Sequence, residues 1–277
     1  MNYYKCDFRI NPILPFRDIL IAQLGDLGFE SFVESETGFD AYVAKHLWSD
    51  NWNLNSVEGF EQVKVEYSKI LVEDKNWNEE WEKNFDPILI GKECYIRATF
   101  HKPEPNFPFE IVIEPKMSFG TGHHQTTTMM VQLGLELGFE GKQVLDMGAG
   151  TAVLAILAGM KGAEPITAID IDEWAFENAK ENVAMNGYEN IKVEMGGAEL
   201  LGPENYDVIF ANINRNILLA DIPAYVKVLK ADGRLLLSGF YKEDIPLIEE
   251  KCKACGLIFE KSKNIDNWAA LQFKTNS

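Results

Sequence analysis

The sequence predicts an α/β protein, a doubly wound and mostly parallel sheet preceded by a small α+β unit. Three observations lead there. From residue 86 onward, short apolar runs alternate with segments of helical periodicity, the pattern of strands buried on both faces. One such run, Val144-Leu145-Asp146, leads into Met147-Gly148-Ala149-Gly150, a glycine turn ahead of a helix. The first seventy or so residues instead show the period-two alternation of half-buried strands.

In the amino-terminal part, Tyr3 to Ile10 alternates as a strand and Phe16 to Leu24 has helical spacing, followed by Gly25 and Gly28. Phe29 to Glu34 and Phe39 to Ala44 read as a hairpin with Thr37-Gly38 at its turn. A short second helix and the strand Gln62 to Tyr67 would complete a βαββαβ, ferredoxin-like order over residues 1–72. Residues 73–85 are polar and charged, with Trp77 and Trp81 one helical turn apart, and read as a linker helix anchored by two aromatics. Residues 86–277 form the larger domain. Its expected strands are Ile111–Ile113, Val144–Asp146, Ile166–Asp170, Val208–Asn212 and Leu235–Gly239, with helices between them. A helix near Ile245 to Cys255, then strands Leu257–Lys261 and Ala269–Phe273, suit a sheet closed by an antiparallel hairpin.

Hydrophobic residues make up 46% and charged residues 25%, enough apolar material for a sizeable core. No apolar run approaches the roughly 20 residues that cross a bilayer, and the first residues lack a basic patch followed by an apolar stretch. A cytoplasmic protein without a membrane role is expected. The formal net charge of −17 repels nucleic acid phosphates and attracts basic surfaces, so a basic protein partner is expected and direct nucleic acid binding is not. Cys6 and Cys94 are isolated, and Cys252-x-x-Cys255 has neither a second pair nor a suitably spaced histidine. Free thiols and no metal site are expected, and the protein is expected to be a monomer.

The chemistry concentrates around the glycine turn. Gly148 and Gly150 permit unusual backbone angles and let a ligand lie against the main chain. Asp170 ends the next apolar strand, where a carboxylate can accept both hydroxyl protons of a ribose; capping the following helix is its bland alternative, and Asp172 is available for that task. Asp146 puts an acid just before the turn. A carboxylate there would oppose a dinucleotide's pyrophosphate but could help seat a cationic ligand such as the methionine ammonium or sulfonium.

Asp146-x-Gly148-x-Gly150 with Asp170 downstream resembles the cofactor motif of the class I methyltransferases. Phe119-Gly120-Thr121-Gly122-His123-His124-Gln125-Thr126-Thr127 resembles the F-G-T-G-x-H-x-T-T signature of the bacterial ribosomal-protein methyltransferase family PrmA. Ala211-Asn212-Ile213 resembles that family's A-N-I-L motif, and Trp77, Trp81 and Pro87 match its linker. The resemblance implies a seven-stranded methyltransferase sheet, S-adenosylmethionine as cofactor, and lysine side chains and the amino terminus of large-subunit ribosomal protein eleven as acceptors. It implies that residues 1–72 hold the substrate. Carried over by position, it implies cofactor contacts at Thr127, Gly148, Asp170 and Asn212. The third glycine of the common pattern is Ala152 here, and Asn214-Arg215 follows Asn212-Ile213 where leucine is usual.

Each residue also has a local rationale. Thr127 lies near a helix start, where its hydroxyl and nearby amides could meet a carboxylate. Asn212 ends a strand at the carboxyl edge of the sheet; its amide oxygen could accept a proton from the methionine ammonium or the incoming amine, or it could merely stabilise a turn. His124 could help remove the amine proton or hold its loop in shape. The expected reaction is in-line attack of a neutral amine on the sulfonium methyl. Competing readings are a methyltransferase acting on another protein or on a nucleic acid base, and a non-catalytic cofactor-binding module. The base enzymes typically carry an N-P-P-Y-like motif where this chain has Asn212-Ile213-Asn214-Arg215.

Overall fold

A computed structural model describes residues 2–72, 85–116, 120 and 124–276. The chain divides into two compact units, Met1–Asn84 and Phe85–Ser277. Of the expected linker helix, residues 73–84 lie outside the described residues, as do Phe119, Thr121, Gly122 and His123 of the signature motif.

In the first unit β1 (Tyr3–Asn11), α1 (Phe16–Asp26), β2 (Phe29–Ser35), β3 (Gly38–Ala44) and β4 (Lys64–Val72) follow one another. The four strands form an antiparallel sheet in the order β2-β3-β1-β4, the ferredoxin-like arrangement. Alternation along β1 sends Cys6, Phe8 and Ile10 into a core with Leu20 and Leu24 of α1, while Asp7 and Arg9 stay exposed. The expected second helix is absent: between β3 and β4 the only helical piece is the 3-10 turn Lys45–Leu47. Residues 48–63 carry Asp50, Asn51, Asn53, Asn55 and Gly59, which compete with helical hydrogen bonding or raise its entropic cost. The space is filled instead by Trp48, Trp52, Leu54, Val57 and Phe60. Trp48 meets Trp52 edge-on at 5.5 Å, and Phe16 meets Phe60 at 5.2 Å.

The second unit begins with β5 (Ile88–Ile90), β6 (Cys94–Ala98) and β7 (Phe109–Ile113), which form a sheet of their own. Ile111–Ile113 therefore belongs to this separate layer and not to the main sheet. The main elements are α2 (Gln125–Leu135), β8 (Val144–Met147), α3 (Val153–Met160), β9 (Ile166–Asp170), α4 (Glu173–Met185), β10 (Lys192–Met195), β11 (Tyr206–Asn212), α5 (Arg215–Lys227), β12 (Leu229–Tyr241), α6 (Ile245–Ala254), β13 (Ile258–Ile265) and β14 (Trp268–Lys274). Seven strands lie in the order β10-β9-β8-β11-β12-β14-β13. All neighbours run parallel up to β12, and β14 and β13 close the sheet antiparallel.

The central strands serve two cores. Val144, Ala168, Val208 and Phe210 pack with α2 and α3, whereas Leu145, Met147, Ile169, Ile209 and Ala211 pack with α5 and α6. Burial on both faces explains why these strands read as unbroken apolar runs. The strand order reverses between β8 and β11, and a sheet of this kind binds ligands at that switch point, beyond the carboxyl ends of its strands. All four cysteines are free; Cys6, Cys94 and Cys252 are buried, and burial pushes the Cys94 and Cys252 thiols up to about 12. Among the described residues no helix is long and apolar enough to cross a membrane.

Candidate active site

A cavity of about 750 Å³ opens at the carboxyl ends of β8, β9 and β11, within the range of small-molecule sites. Its floor is set by glycine. Gly148 has φ +67°, and a Cβ there would stand 2.1 Å from Cγ2 of Ile213. Gly239 (φ +96°) approaches the same residue from β12, where a Cβ would lie 2.2 Å from the Ile213 carbonyl oxygen. Ile213 is thus wedged between two backbones, and the amides of Gly148 and Ala149 both donate to the Ile169 carbonyl at 2.8 and 3.1 Å.

Asp170 stands at the end of β9 on the cavity wall. Its Oδ2 accepts from the Gly150 amide at 2.8 Å and its Oδ1 from the Asp172 amide at 3.0 Å. Asp172, not Asp170, caps α4, accepting from the Ala175 amide at 3.0 Å. Asp170 is therefore held by backbone donors while its carboxylate oxygens keep further lone pairs for ligand hydroxyls. Ile171, 77% exposed, follows on the same wall and offers an apolar face to a flat ring.

Asp146 takes a different place from the one expected. The pleat that turns Leu145 and Met147 toward α5 turns Asp146 toward α3. It is 1% exposed, is absent from the cavity lining, and accepts from the Ala155 amide at 3.1 Å. Burial, with the Asp170 charge adding to it, pushes its carboxyl up to about 8. Asp146 supports the glycine turn from behind. Ala152, at the third-glycine position, sits at the head of α3 with φ +60°, a left-handed backbone angle that costs an alanine about 1–2 kcal/mol.

Asn212 closes β11 at the far side of the cavity. Its Nδ2 donates to Thr127 Oγ1 at 3.4 Å, which leaves Oδ1 buried without a partner. Thr127 is fully buried and off the cavity wall, so it orients Asn212, and Thr126 lines the wall in its place. His124 caps α2: Nδ1 accepts from the Thr126 amide at 3.3 Å and stands 2.8 Å from Thr126 Oγ1. Burial lowers its pKa, which keeps the ring neutral at pH 7. Trp268 lines this end and meets His124 edge-on at 4.6 Å, with Tyr241 tilted against it at 4.3 Å from outside the lining.

The cavity thus gathers Gly148, Gly150, Asp170, Asn212 and His124 on its wall, with Asp146 and Thr127 behind it. Ile171 and Trp268 were not singled out by the sequence, and Ile213 entered only as part of the motif that carries Asn212. An apolar residue following a strand-end acid was a usable signal for Ile171. Nothing local marks Trp268, which the pairing of β14 with β12 brings to the mouth beside His124. The residues fit S-adenosylmethionine. A strand-end acid awaits the ribose, a glycine turn admits the chain of the ligand, and Asn212 stands on the wall beyond it.

This strand order and site define a class I S-adenosylmethionine-dependent methyltransferase. The sequence profile of the family "Ribosomal protein L11 methyltransferase (PrmA)" matches residues 26–276, and the chain belongs to that family. It is 48% identical over 278 residues to the ribosomal protein L11 methyltransferase of Phocaeicola vulgatus, covering 99% of both chains. It is 47% identical over 264 residues to that of Porphyromonas gingivalis, covering 94% of this chain and 91% of the other. The crystal structure of a ribosomal protein L11 methylase from Lactobacillus delbrueckii subsp. bulgaricus superposes with a TM-score of 0.64 at 28% identity, covering 70% of this chain and 100% of that one.

Proposed function

We propose that this protein transfers methyl groups from S-adenosylmethionine to amines of ribosomal protein L11, both lysine side chains and the amino terminus. The observation that carries the reading is Asp170, a strand-end carboxylate on the cavity wall that the Gly150 and Asp172 amides hold in place, with lone pairs left for ligand hydroxyls.

The bound cofactor supplies an electrophilic methyl group on a sulfonium. Asp170 holds the ribose hydroxyls, and Gly148 and Gly150 admit the ligand against the main chain. A free lysine amine has a pKa near ~10.4 and arrives protonated. The apolar mouth at Trp268 and Tyr241 favours its neutral form by desolvation, and Asn212 aligns the donor. Alignment of this kind is worth on the order of 7–11 kcal/mol. His124 is a positioning residue: the nitrogen lone pair that a base would use is engaged with the Thr126 amide. Residues 1–72 recognise the basic substrate, residues 73–85 join the two domains, and the protein works as a cytoplasmic monomer without a direct nucleic acid contact. The net charge of −17 supports a basic partner.

Methyl transfer from labelled cofactor to purified L11, read by intact mass, tests the proposal. Gains in steps of one methyl, abolished in Asn212→Ala, are expected. Cofactor binding without any label on L11 would reject the substrate, and binding without turnover on any amine would favour a non-catalytic module.

A further inference from the structure

The strand order gives the cavity two flanks. Trp268 begins β14 on one side of the β8–β11 switch point, and the stretch of residues 196–199 follows β10 on the other. Asp170 belongs to the second flank, because its carbonyl accepts from the Gly196 amide at 2.9 Å. A ligand whose ribose rests on Asp170, with its methyl end toward Asn212 and Trp268, therefore lays its base on this flank. Most of the lining here is apolar or bare backbone: Ile171, Ala175, Gly197, Ala198 and Ile217. Ile217, Asp221 and Tyr225 recur every fourth residue along α5 and form one stripe on the cavity. The 3-10 turn Ala198–Leu200 packs against that helix.

Four carboxylates line the cavity, and three of them are tied to the backbone. Asp170 accepts from the Gly150 and Asp172 amides, and Asp172 caps α4. Glu199 turns back on its own chain and accepts from the Gly197 amide at 2.7 Å. That bond, and a second from its own amide, hold the Glu199 carboxyl below its usual value.

Asp221 differs. It is half-buried and, among the described residues, accepts no backbone bond; the Tyr225 hydroxyl donates to its Oδ2 at 3.4 Å. Tyr225 is itself fully buried, so its hydroxyl fixes one carboxylate oxygen and leaves the lone pairs of the other open. Burial raises the Asp221 carboxyl against the effect of the Tyr225 bond, and the charge of Glu199 adds to the rise. A carboxylate in such surroundings is unfavourable until a donor reaches it.

We propose that Asp221 is a specificity-determining residue that accepts a hydrogen bond from the exocyclic amine of the cofactor's base, and that Tyr225 orients it. The inference rests on the reading of the cavity as the S-adenosylmethionine site. Adenine presents an N–H donor at that edge. Its deaminated counterpart presents a carbonyl oxygen there, which an acceptor-only carboxylate meets with repulsion. This flank thus selects an aminopurine and rejects the oxo base.

Calorimetry with S-adenosylhomocysteine and S-inosylhomocysteine, which differ only along that edge, tests the assignment in wild type, Asp221→Asn and Asp221→Ala. Wild type is expected to bind the adenosyl ligand about 10- to 100-fold more tightly, the range set by a hydrogen bond to a charged group. Asparagine offers both an acceptor and a donor, so the preference in Asp221→Asn should fall to within about threefold. Asp221→Ala should weaken the adenosyl ligand about tenfold or more and leave the inosyl ligand equal or tighter. Variants that lose affinity for both ligands equally and keep the wild-type preference would make Asp221 a structural residue and overturn the proposal. A wild type that binds both ligands alike would overturn it too, with the cavity still the cofactor site. If wild type binds neither, the reading of the cavity fails and this inference falls with it.

Discussion

The two compact units solve burial differently. In the smaller unit, one sheet face is covered by α1 and a set of aromatics: Phe8 stacks on Phe39 at 5.1 Å and on Tyr67 at 5.4 Å and meets Phe29 edge-on at 6.4 Å. In the larger unit both faces of the sheet are covered, and aliphatic side chains fill most of two cores. The difference teaches where function can be specified. A sheet buried on both faces leaves only its strand ends for polar residues, so Asp170 and Asn212 mark the site simply by interrupting apolar runs. A sheet covered on one side leaves a whole face open, where Asp7, Arg9, Val33 and Ile70 are exposed and no single residue is singled out.

The largest expected effect separates the units outright. Phe8→Ala removes the ring at the centre of the aromatic cluster and should cost about 3–5 kcal/mol. Differential scanning calorimetry is expected to show the smaller unit melting early and the larger one unmoved, with cofactor affinity intact and KM for L11 raised. A single transition shifted as a whole would mean the units are energetically one body. Next in size, Asp170→Ala should weaken cofactor binding about 100-fold or more by calorimetry and abolish methyl transfer. Neither unit should lose its melting transition. Retained affinity would move the ribose away from β9.

How much could be read from the sequence follows the same division. Apolar runs ending in Asp146, Asp170 and Asn212 placed β8, β9 and β11 without help, because burial on both faces leaves no other pattern. The second helix of the small unit does not form because Asp50, Asn51, Asn53 and Asn55, set among Trp48, Trp52 and Val57, favour turns over helix. Side-chain direction was less legible than strand position. Asp146 and Thr127 each sit within one residue of a lining position, and a one-residue change of face puts them behind the wall. The closing hairpin was legible, but the place of Trp268 depends on the register of β14 against β12, a long-range pairing with no local sequence signal.

Asp146 offers a smaller effect with a defined sign. Its carboxyl is held up to about 8 in the fold, against roughly 3.9 in an unfolded chain. Between those values the folded protein keeps a proton that the unfolded chain releases, so this residue's contribution to stability drains away as pH rises through that window. Asp146→Asn has no proton to release, and its amide oxygen can still accept from Ala155. Without cofactor, the variant should melt close to wild type near pH 4 and several degrees higher at pH 8. A variant no more stable than wild type at pH 8 would mean that the fold holds Asp146 as a paired anion.

His124 should give the smallest effect, and it bears most directly on mechanism. A general base at this position would imprint its own titration on the rate, and replacing it would cost about 10²–10⁴-fold. A cap behaves otherwise. Nδ1 already accepts from the Thr126 amide, burial lowers the ring's affinity for a proton, and asparagine is a good residue at a helix start. Asn at 124 restores the bond to Thr126 and forfeits only the edge contact with Trp268. His124→Asn is therefore expected to keep kcat within about tenfold, since the cap it replaces is worth only about 1 kcal/mol. Its rate should still rise toward alkaline pH in parallel with wild type, because the proton that limits the reaction belongs to the acceptor amine. A pH profile that flattens in the variant, together with a loss of a hundredfold or more, would make His124 the base and leave Asn212 to orient the amine alone.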